Sequence, residues 1–353
     1  MNLFSLFKKV HFPSFNSIRL YIDLGTSNLR VAIKDKGIVL KEPTYLAYNT
    51  QTKEYIFFGN EAKDILGKTP DFLKTIRPMN NGIVSDFDAE VAISKESIEK
   101  ATEPYLKPFL FLKPPLTAIT ACPLTATEIE QKAVEEVILK TGCSTVHLIE
   151  KPLATASGCG LNIFTHKPVL IIDMGGGIIE ISIISGGGIV GNKTLRNAGE
   201  YMDKVIANYV YLKHGVQLGE TTSEKLKTDV FKFSGEDKLM LVRGKSLENG
   251  LPKSIKINSA ELKEALINSF SQIVDATKEL IELSPPEIVD SIFESGITLT
   301  GELASVSGIE DFFQAELKIS VSRAKDFKNA TINGLMNLDK NDQLYKKLLS
   351  LKE

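Results

Sequence analysis

Three short stretches carry residue types suited to phosphate chemistry. In "DLGTSN", Asp23 precedes Gly25 by two positions, and Thr26, Ser27 and Asn28 follow. In "DMGGGIIE", Asp173 stands in the same relation to Gly175, Gly176 and Gly177. Glycines let backbone N–H groups approach phosphate oxygens with no Cβ in the way. The hydroxyls of Thr26 and Ser27 add donors. Asp23 and Asp173, on opposite walls of such a clamp, would suit a Mg2+ ion held through its waters. Either turn alone is a weak signal, because most glycine turns only reverse a chain; the matched pair is stronger. The third stretch is "LIEKPLATASGCGL". A carboxylate directly before Pro152 would steer a water at a phosphate, but the residue there is Lys151.

These residues need elements to position them. Apolar residues at 18, 20, 22 and 24, and again at 29, 31 and 33, alternate on both sides of Gly25-Thr26-Ser27. That period of two predicts a hairpin. "KPVLIIDMGGGIIEISIISGGGIV" repeats the strand–Asp–glycine-turn–strand design about 150 positions further on. Helical patterns follow each copy: "TATEIEQKAVEEVILKTG", with Thr125 and Glu128 as the expected capping pair, then "GEYMDKVIANYVYLKHG" and "SAELKEALINSFSQIVDATKELIE". Strands and helices mixed in two similar halves predict an α/β protein with a cleft between the halves.

Composition removes other classes. A 353-residue chain with 43% hydrophobic and 24% charged residues can bury a substantial core and is not globally disordered. A net charge of −2 without a long basic block argues against nucleic acid as a partner. Cys122, Cys143 and Cys159 show no paired spacing and read as reduced thiols; the four histidines show no metal-ligand spacing. No apolar run reaches the roughly 18 to 20 residues of a membrane span. Two apolar stretches nevertheless suit a membrane interface. Leu3, Leu6, Phe7 and Val10 fall on one helical face, with Phe4 beside them and Lys8 and Lys9 opposite. "KPFLFLKPPL" places Phe109, Leu110, Phe111 and Leu112 between lysine and prolines, either as an exposed run that something must cover or as the start of a buried strand.

The chain resembles the actin/Hsp70/sugar-kinase superfamily and, within it, the bacterial actin MreB family. The resemblance runs from about Ile18 to the low 330s and rests on "DLGTSN", "DMGGGIIE", "KGIVLKEPTYLAYN", "AKDILGKTPDFLKTIRPMNNGIVSDFD" and "ACPLTATEIEQKAV". It implies an actin-like ATPase fold of two duplicated halves around an ATP–Mg2+ cleft. It further implies self-assembly into protofilaments at the inner face of the cell membrane, in the cytoplasm, possible company with other MreB paralogues, and a setting in wall-less bacteria for so divergent a copy. The implied division is a membrane-contacting segment over 1–17, a first half over 18–163 with a small subdomain at about 51–91, a second half over 164–325 with one at about 199–254, and a 326–353 segment packing back on the first half. By the same resemblance, Glu224 and Lys227 face the ribose and base, and Gly296 and Gly301 belong to the adenine side. There Gly301-Glu302-Leu303 replaces three successive glycines. The resemblance also implies a membrane-inserting loop at Phe109 to Leu112, and two weak anchors on one face add strongly in a polymer.

Two departures fall on one step. The family's glutamate credited with hydrolysis is Lys151 here, and the threonine that helps position the attacking water is Ile178. An ammonium facing phosphates has three donors and no acceptor, and an isoleucine offers no hydroxyl. The resemblance therefore implies a nucleotide that is held and hydrolysed slowly or not at all. A Lys151 acting in the manner of an arginine finger is the competing reading of that residue. For the whole chain, the competing readings are a filament-forming ATPase with normal turnover and a phosphotransferase on the same scaffold. A chaperone is disfavoured because only a short amphipathic tail follows the nucleotide fold.

Overall fold

The computed structural model describes residues 17–107 and 113–340. The expected membrane contacts, Leu3, Phe4, Leu6 and Phe7 in the N-terminal segment and Phe109 to Leu112 in the apolar loop, lie outside the described residues.

The first sheet begins as an antiparallel meander of β1 (Ile18–Leu24), β2 (Asn28–Ile33) and β3 (Gly37–Pro43). A small sheet follows, with β4 (Leu46–Asn49) between β5 (Glu54–Phe58) and β6 (Leu73–Ile76), and with helix α1 (Asn60–Asp64) between the last two in sequence. A two-residue hairpin of β7 (Met79–Asn80) and β8 (Ile83–Val84) leads into α2 (Phe87–Leu106). Then β9 (Leu116–Cys122) pairs parallel with β1, α3 (Glu128–Lys140) crosses over, and β10 (Cys143–Glu150) pairs parallel with β9. Helix α4 (Lys151–Gly158) leaves β10 without a linker, with Pro152 in its first turn, where the missing N–H costs no bond.

The second half repeats the plan. A meander of β11 (Val169–Met174), β12 (Ile179–Ser185) and β13 (Gly188–Leu195) is followed by α5 (Gly199–His214). A small sheet comes next, β14 (Val216–Gln217), β15 (Leu239–Ser246) and β16 (Pro252–Asn258), with α6 (Glu220–Lys225) inserted. After α7 (Ser259–Glu282) and α8 (Pro286–Ser295), β17 (Ile297–Thr300) pairs parallel with β11, α9 (Ile309–Leu317) crosses over, and β18 (Val321–Arg323) pairs parallel with β17. The strand orders β3-β2-β1-β9-β10 and β13-β12-β11-β17-β18 correspond position by position.

Both first strands are central and covered on each face. Leu20, Ile22 and Leu24 of β1 pack with residues of α2 and α3, while Tyr21 packs with α4 and α10 (Ala330–Lys340) on the other side. Helix α10 returns to the first half, where the buried Asp339 accepts a hydrogen bond from Tyr21 Oη at 2.6 Å and pairs with Arg19. The capping box of α3 is Thr127 with Glu130, a correction to the expected Thr125 and Glu128. Both pairs satisfy the same spacing, but the turn closed by Ala126 N–H donating to Pro123 O delays the helix by two residues.

Candidate functional site

A cleft of about 420 Å3 lies between the two sheets, where the β1–β2 and β11–β12 turns face each other. Gly25, Thr26, Ser27 and Asn28 line it from the first half, and Gly175, Gly176 and Gly177 from the second. The turns meet so closely that a Cβ on Gly176 would overlap Ser27 Oγ, and one on Gly177 would overlap Thr26 Oγ1. Glycine is required there by contact between the halves. Thr26 Oγ1 accepts from Gly82 N–H at 2.9 Å, which ties the β7–β8 turn to the first glycine turn. Ser27 Oγ donates to Glu200 Oε1 at 3.1 Å across the cleft. The N–H groups of Gly199 and Glu200, opening α5, donate to the carbonyls of Gly175 and Gly176 and fix the second turn.

Duplication sets Asp23 opposite Arg30 on β1–β2 and Asp173 opposite Glu180 on β11–β12. The register is the same and the partner's charge is opposite. Arg30 is 3.2 Å from Asp23 Oδ2 and 3.1 Å from Glu302 Oε1, and Lys41 reaches the same Glu302 oxygen at 2.6 Å. In the second half two buried carboxylates sit side by side, an arrangement that is unfavourable without a counter-charge. Lys151, at the first position of α4, supplies it, with its ammonium 3.0 Å from Asp173 and 3.2 Å from Glu180. Burial disfavours the ammonium, but the charges of Asp173, Glu180 and Asp23 outweigh that and raise its proton affinity above that of an ordinary lysine. Burial likewise raises the proton affinity of Glu180, against the opposing pull of Lys151.

The expected Mg2+ ligands do not fit that role. Asp23 is held by Arg30 and Asp173 by Lys151, so a hydrated divalent ion between them would meet two cations and carboxylates already engaged. Among the described residues no group of three or more His, Cys, Asp or Glu side chains is arranged to hold a metal ion.

Ile178 is 4% exposed and fills the space under the β7–β8 turn. A Cβ on Gly82 would sit 3.0 Å from Ile178 Cδ1 and 3.1 Å from Pro123 Cγ. A branched apolar group thus stands beside the glycine turns, with no hydroxyl to orient a water.

On the far side of the cleft, Glu224 and Lys227 line the cavity but turn their charges to other partners. Glu224 pairs with Lys63 at 2.8 Å, and Lys227 donates to Gly199 O and to Asp203 Oδ2, both at 2.7 Å. Burial pushes Asp203 up to about 6, with Lys227 opposing the rise. Gly301 lines the cavity in a left-handed conformation, φ +86°, that brings its Cα against the Met174 backbone. Gly296 ends α8 and is not among the residues lining this cavity, and a Cβ on it would lie 2.7 Å from Ser320 O.

Arg30, Lys41, Glu180 and Asp203 were not foreseen at the site. Arg30 and Glu180 did leave a trace, as lone charges in the apolar strand sequences "LRVAI" and "IIEISII". A charge that is nearly fully buried in a central strand needs a partner.

Residues 17–347 match the MreB/Mbl protein family. The chain is 35% identical over 333 residues to the cell shape-determining protein Mbl of Bacillus subtilis, covering 93% of this chain and 98% of that protein. It is 34% identical over 316 residues to the cell shape-determining protein MreB of Escherichia coli, covering 87% and 89%. Among solved structures, MreB5 of Spiroplasma citri bound to ADP superposes with a TM-score of 0.87 at 29% identity, covering 96% of this chain and 99% of that one. The same protein bound to AMPPNP gives 0.86. A MamK double helical filament gives 0.76 at 18% identity, covering 92% and 99%, a likeness of fold.

Proposed function

The chain belongs to the MreB/Mbl family and has its actin-like fold, and from that premise we propose that it is a cell shape-determining filament protein that binds ATP or ADP in the cleft and hydrolyses ATP slowly or negligibly. Support for nucleotide binding comes from the two glycine turns facing one cavity and from ADP and AMPPNP in the Spiroplasma citri neighbour. One observation carries the slow turnover: the residue before Pro152 is an ammonium clamped between Asp173 and Glu180. Held this way, Lys151 has no lone pair with which to take a proton from water. Losing a general base costs roughly a hundred- to ten-thousandfold in rate, and Ile178 adds the loss of a water-positioning hydroxyl.

The remaining parts of this reading are drawn from the family. They are the residue roles given above for the nucleotide, the division into two halves each with a small subdomain, assembly of the chain with itself and with paralogues, and attachment of the polymer to the inner membrane surface through Leu3, Phe4, Leu6, Phe7, Phe111 and Leu112. Among the described residues no helix is long and apolar enough to cross a membrane, so attachment would be peripheral.

The test is phosphate release measured beside sedimentation, with ATP, with ADP and without nucleotide, in the presence and absence of anionic vesicles. Sedimenting polymer with little phosphate release is expected, and release at the rate of an Mbl or MreB protein assayed in parallel would sink the slow-turnover reading. Removing residues 1–10 should reduce recovery with vesicles, and unchanged recovery would remove the N-terminal anchor from the proposal.

A further inference from the structure

The two acidic residues that close β1 and β11 are each met by a cation of the chain itself. Arg30 enters from β2, directly across the hairpin from Asp23, and is 7% exposed. Lys151 enters from the start of α4 and bridges Asp173 to Glu180. Each is an isolated positive charge brought to the end of a glycine turn, and together they carry the formal charge of one divalent ion. With Lys41 and Lys328, four cations face Asp23, Asp173, Glu180 and Glu302; without Arg30 and Lys151 two would face the same four carboxylates. A phosphate chain entering that second arrangement would need an added metal to offset the repulsion. Here the counter-charge is already built in.

Resting on the nucleotide-binding reading above, we infer that this cleft binds a nucleoside di- or triphosphate without a divalent cation, with Arg30 and Lys151 in the place of the metal. Three features support it. Both Asp23 and Asp173 already accept from a cation through Oδ2, which weakens their hold on the waters of a metal. Both cations line the same cavity as the glycine turns. Glu302, standing where the family has a glycine, is engaged by Arg30 and Lys41 and so does not leave a free carboxylate facing the phosphates. A fixed ammonium or guanidinium is also a directional donor to phosphate oxygens.

The test is equilibrium binding of a fluorescent ATP analogue to the full chain, with ADP as competitor, in excess Mg2+ and in EDTA. The two dissociation constants should agree within about threefold, a difference below 1 kcal/mol. Binding in Mg2+ that weakens by about tenfold or more in EDTA would overturn the inference and leave the nucleotide reading standing. No binding in either condition would overturn both. Arg30→Leu and Lys151→Met, each checked for a cooperative thermal transition, should bind about tenfold more weakly in EDTA and recover in Mg2+. Two sites are tested because one variant alone could fail to fold. Folded variants that bind in EDTA as the unaltered chain does would show that these cations do not take the metal's place.

Discussion

At the residue scale, the position before Pro152 bears on stability as well as on the proposed slow turnover. A carboxylate there would add a third negative charge beside Asp173 and Glu180, whereas Lys151 neutralises part of what duplication has placed together. Removing one partner of a buried ion network is costly because the remaining charge keeps its desolvation penalty. Lys151→Gln should therefore lower unfolding free energy by about 3–5 kcal/mol, measured by urea titration near neutral pH. The deficit should shrink as pH falls. Burial already holds Glu180 above the usual carboxylate range, and without the lysine opposing it the rise is larger. A group whose folded proton affinity exceeds its unfolded one takes up a proton on folding, so acid favours the folded variant. A deficit independent of pH would show that Glu180 does not carry the excess charge.

At the element scale, helix α2 contains a comparable problem without a counter-charge. Glu90 lies in its first turn, fully buried, and accepts from Ser94 Oγ at 3.1 Å. Its other oxygen has no hydrogen-bond donor among the described residues. Burial pushes Glu90 up from 4.5 to about 8, with the Ser94 bond opposing. Between those values the folded state holds a proton that the unfolded chain releases, so stability should fall as pH rises across that window, by at most about 1.4 kcal/mol per pH unit. Glu90→Gln should flatten that dependence in denaturant midpoints taken from pH 5 to 9, and an unchanged slope would assign it elsewhere. Elements of this kind were partly legible in the sequence. The duplicated strand–turn–strand units could be read because alternation and glycine turns are local signals. Helix starts were less so: "TATEIE" contains two overlapping capping boxes, and only the turn begun at Pro123 selects Thr127. The partners of Asp23 and Asp173 were hidden for another reason. Arg30 lies across a hairpin whose register the sequence does not state, and Lys151 belongs to the other half of the molecule. The metal expectation was read from two carboxylates alone, without the cations that pair with them.

At the scale of the whole molecule, the halves are joined at two depths. Deep in the cleft, the Lys151 and Arg30 networks bridge the first half to Asp173, Glu180 and Glu302 of the second. At the mouth, Arg77, which follows β6, pairs with Glu200 of α5 at 2.8 Å and with Glu220 of α6. Tyr45 donates to the same Glu220 at 2.9 Å, with the Arg77 guanidinium 4.6 Å from its ring centre, and Lys63 pairs with Glu224. Lys151, Asp173, Glu180, Arg30 and Asp23 are largely buried and belong to the stability of the fold, while Glu302 and Lys41 are partly exposed. The mouth contacts are partly exposed, where ion pairs typically contribute no more than about 1 kcal/mol each. They are therefore suited to opening and closing, and we predict that a nucleotide leaving the cleft parts them. Arg77→Ala removes the residue shared by three of these contacts. It should leave the unfolding midpoint within the range of a surface change while raising the nucleotide dissociation rate by about tenfold, the kinetic equivalent of 1.4 kcal/mol. Stopped-flow displacement of a fluorescent nucleotide measures this directly. Raising salt should speed release from the unaltered chain toward the variant's rate, because exposed pairs are screened and buried ones much less so. If Arg77→Ala releases nucleotide no faster than the unaltered chain, the mouth contacts do not hold the cleft shut, and residence time is set by the glycine turns and the deep cations alone.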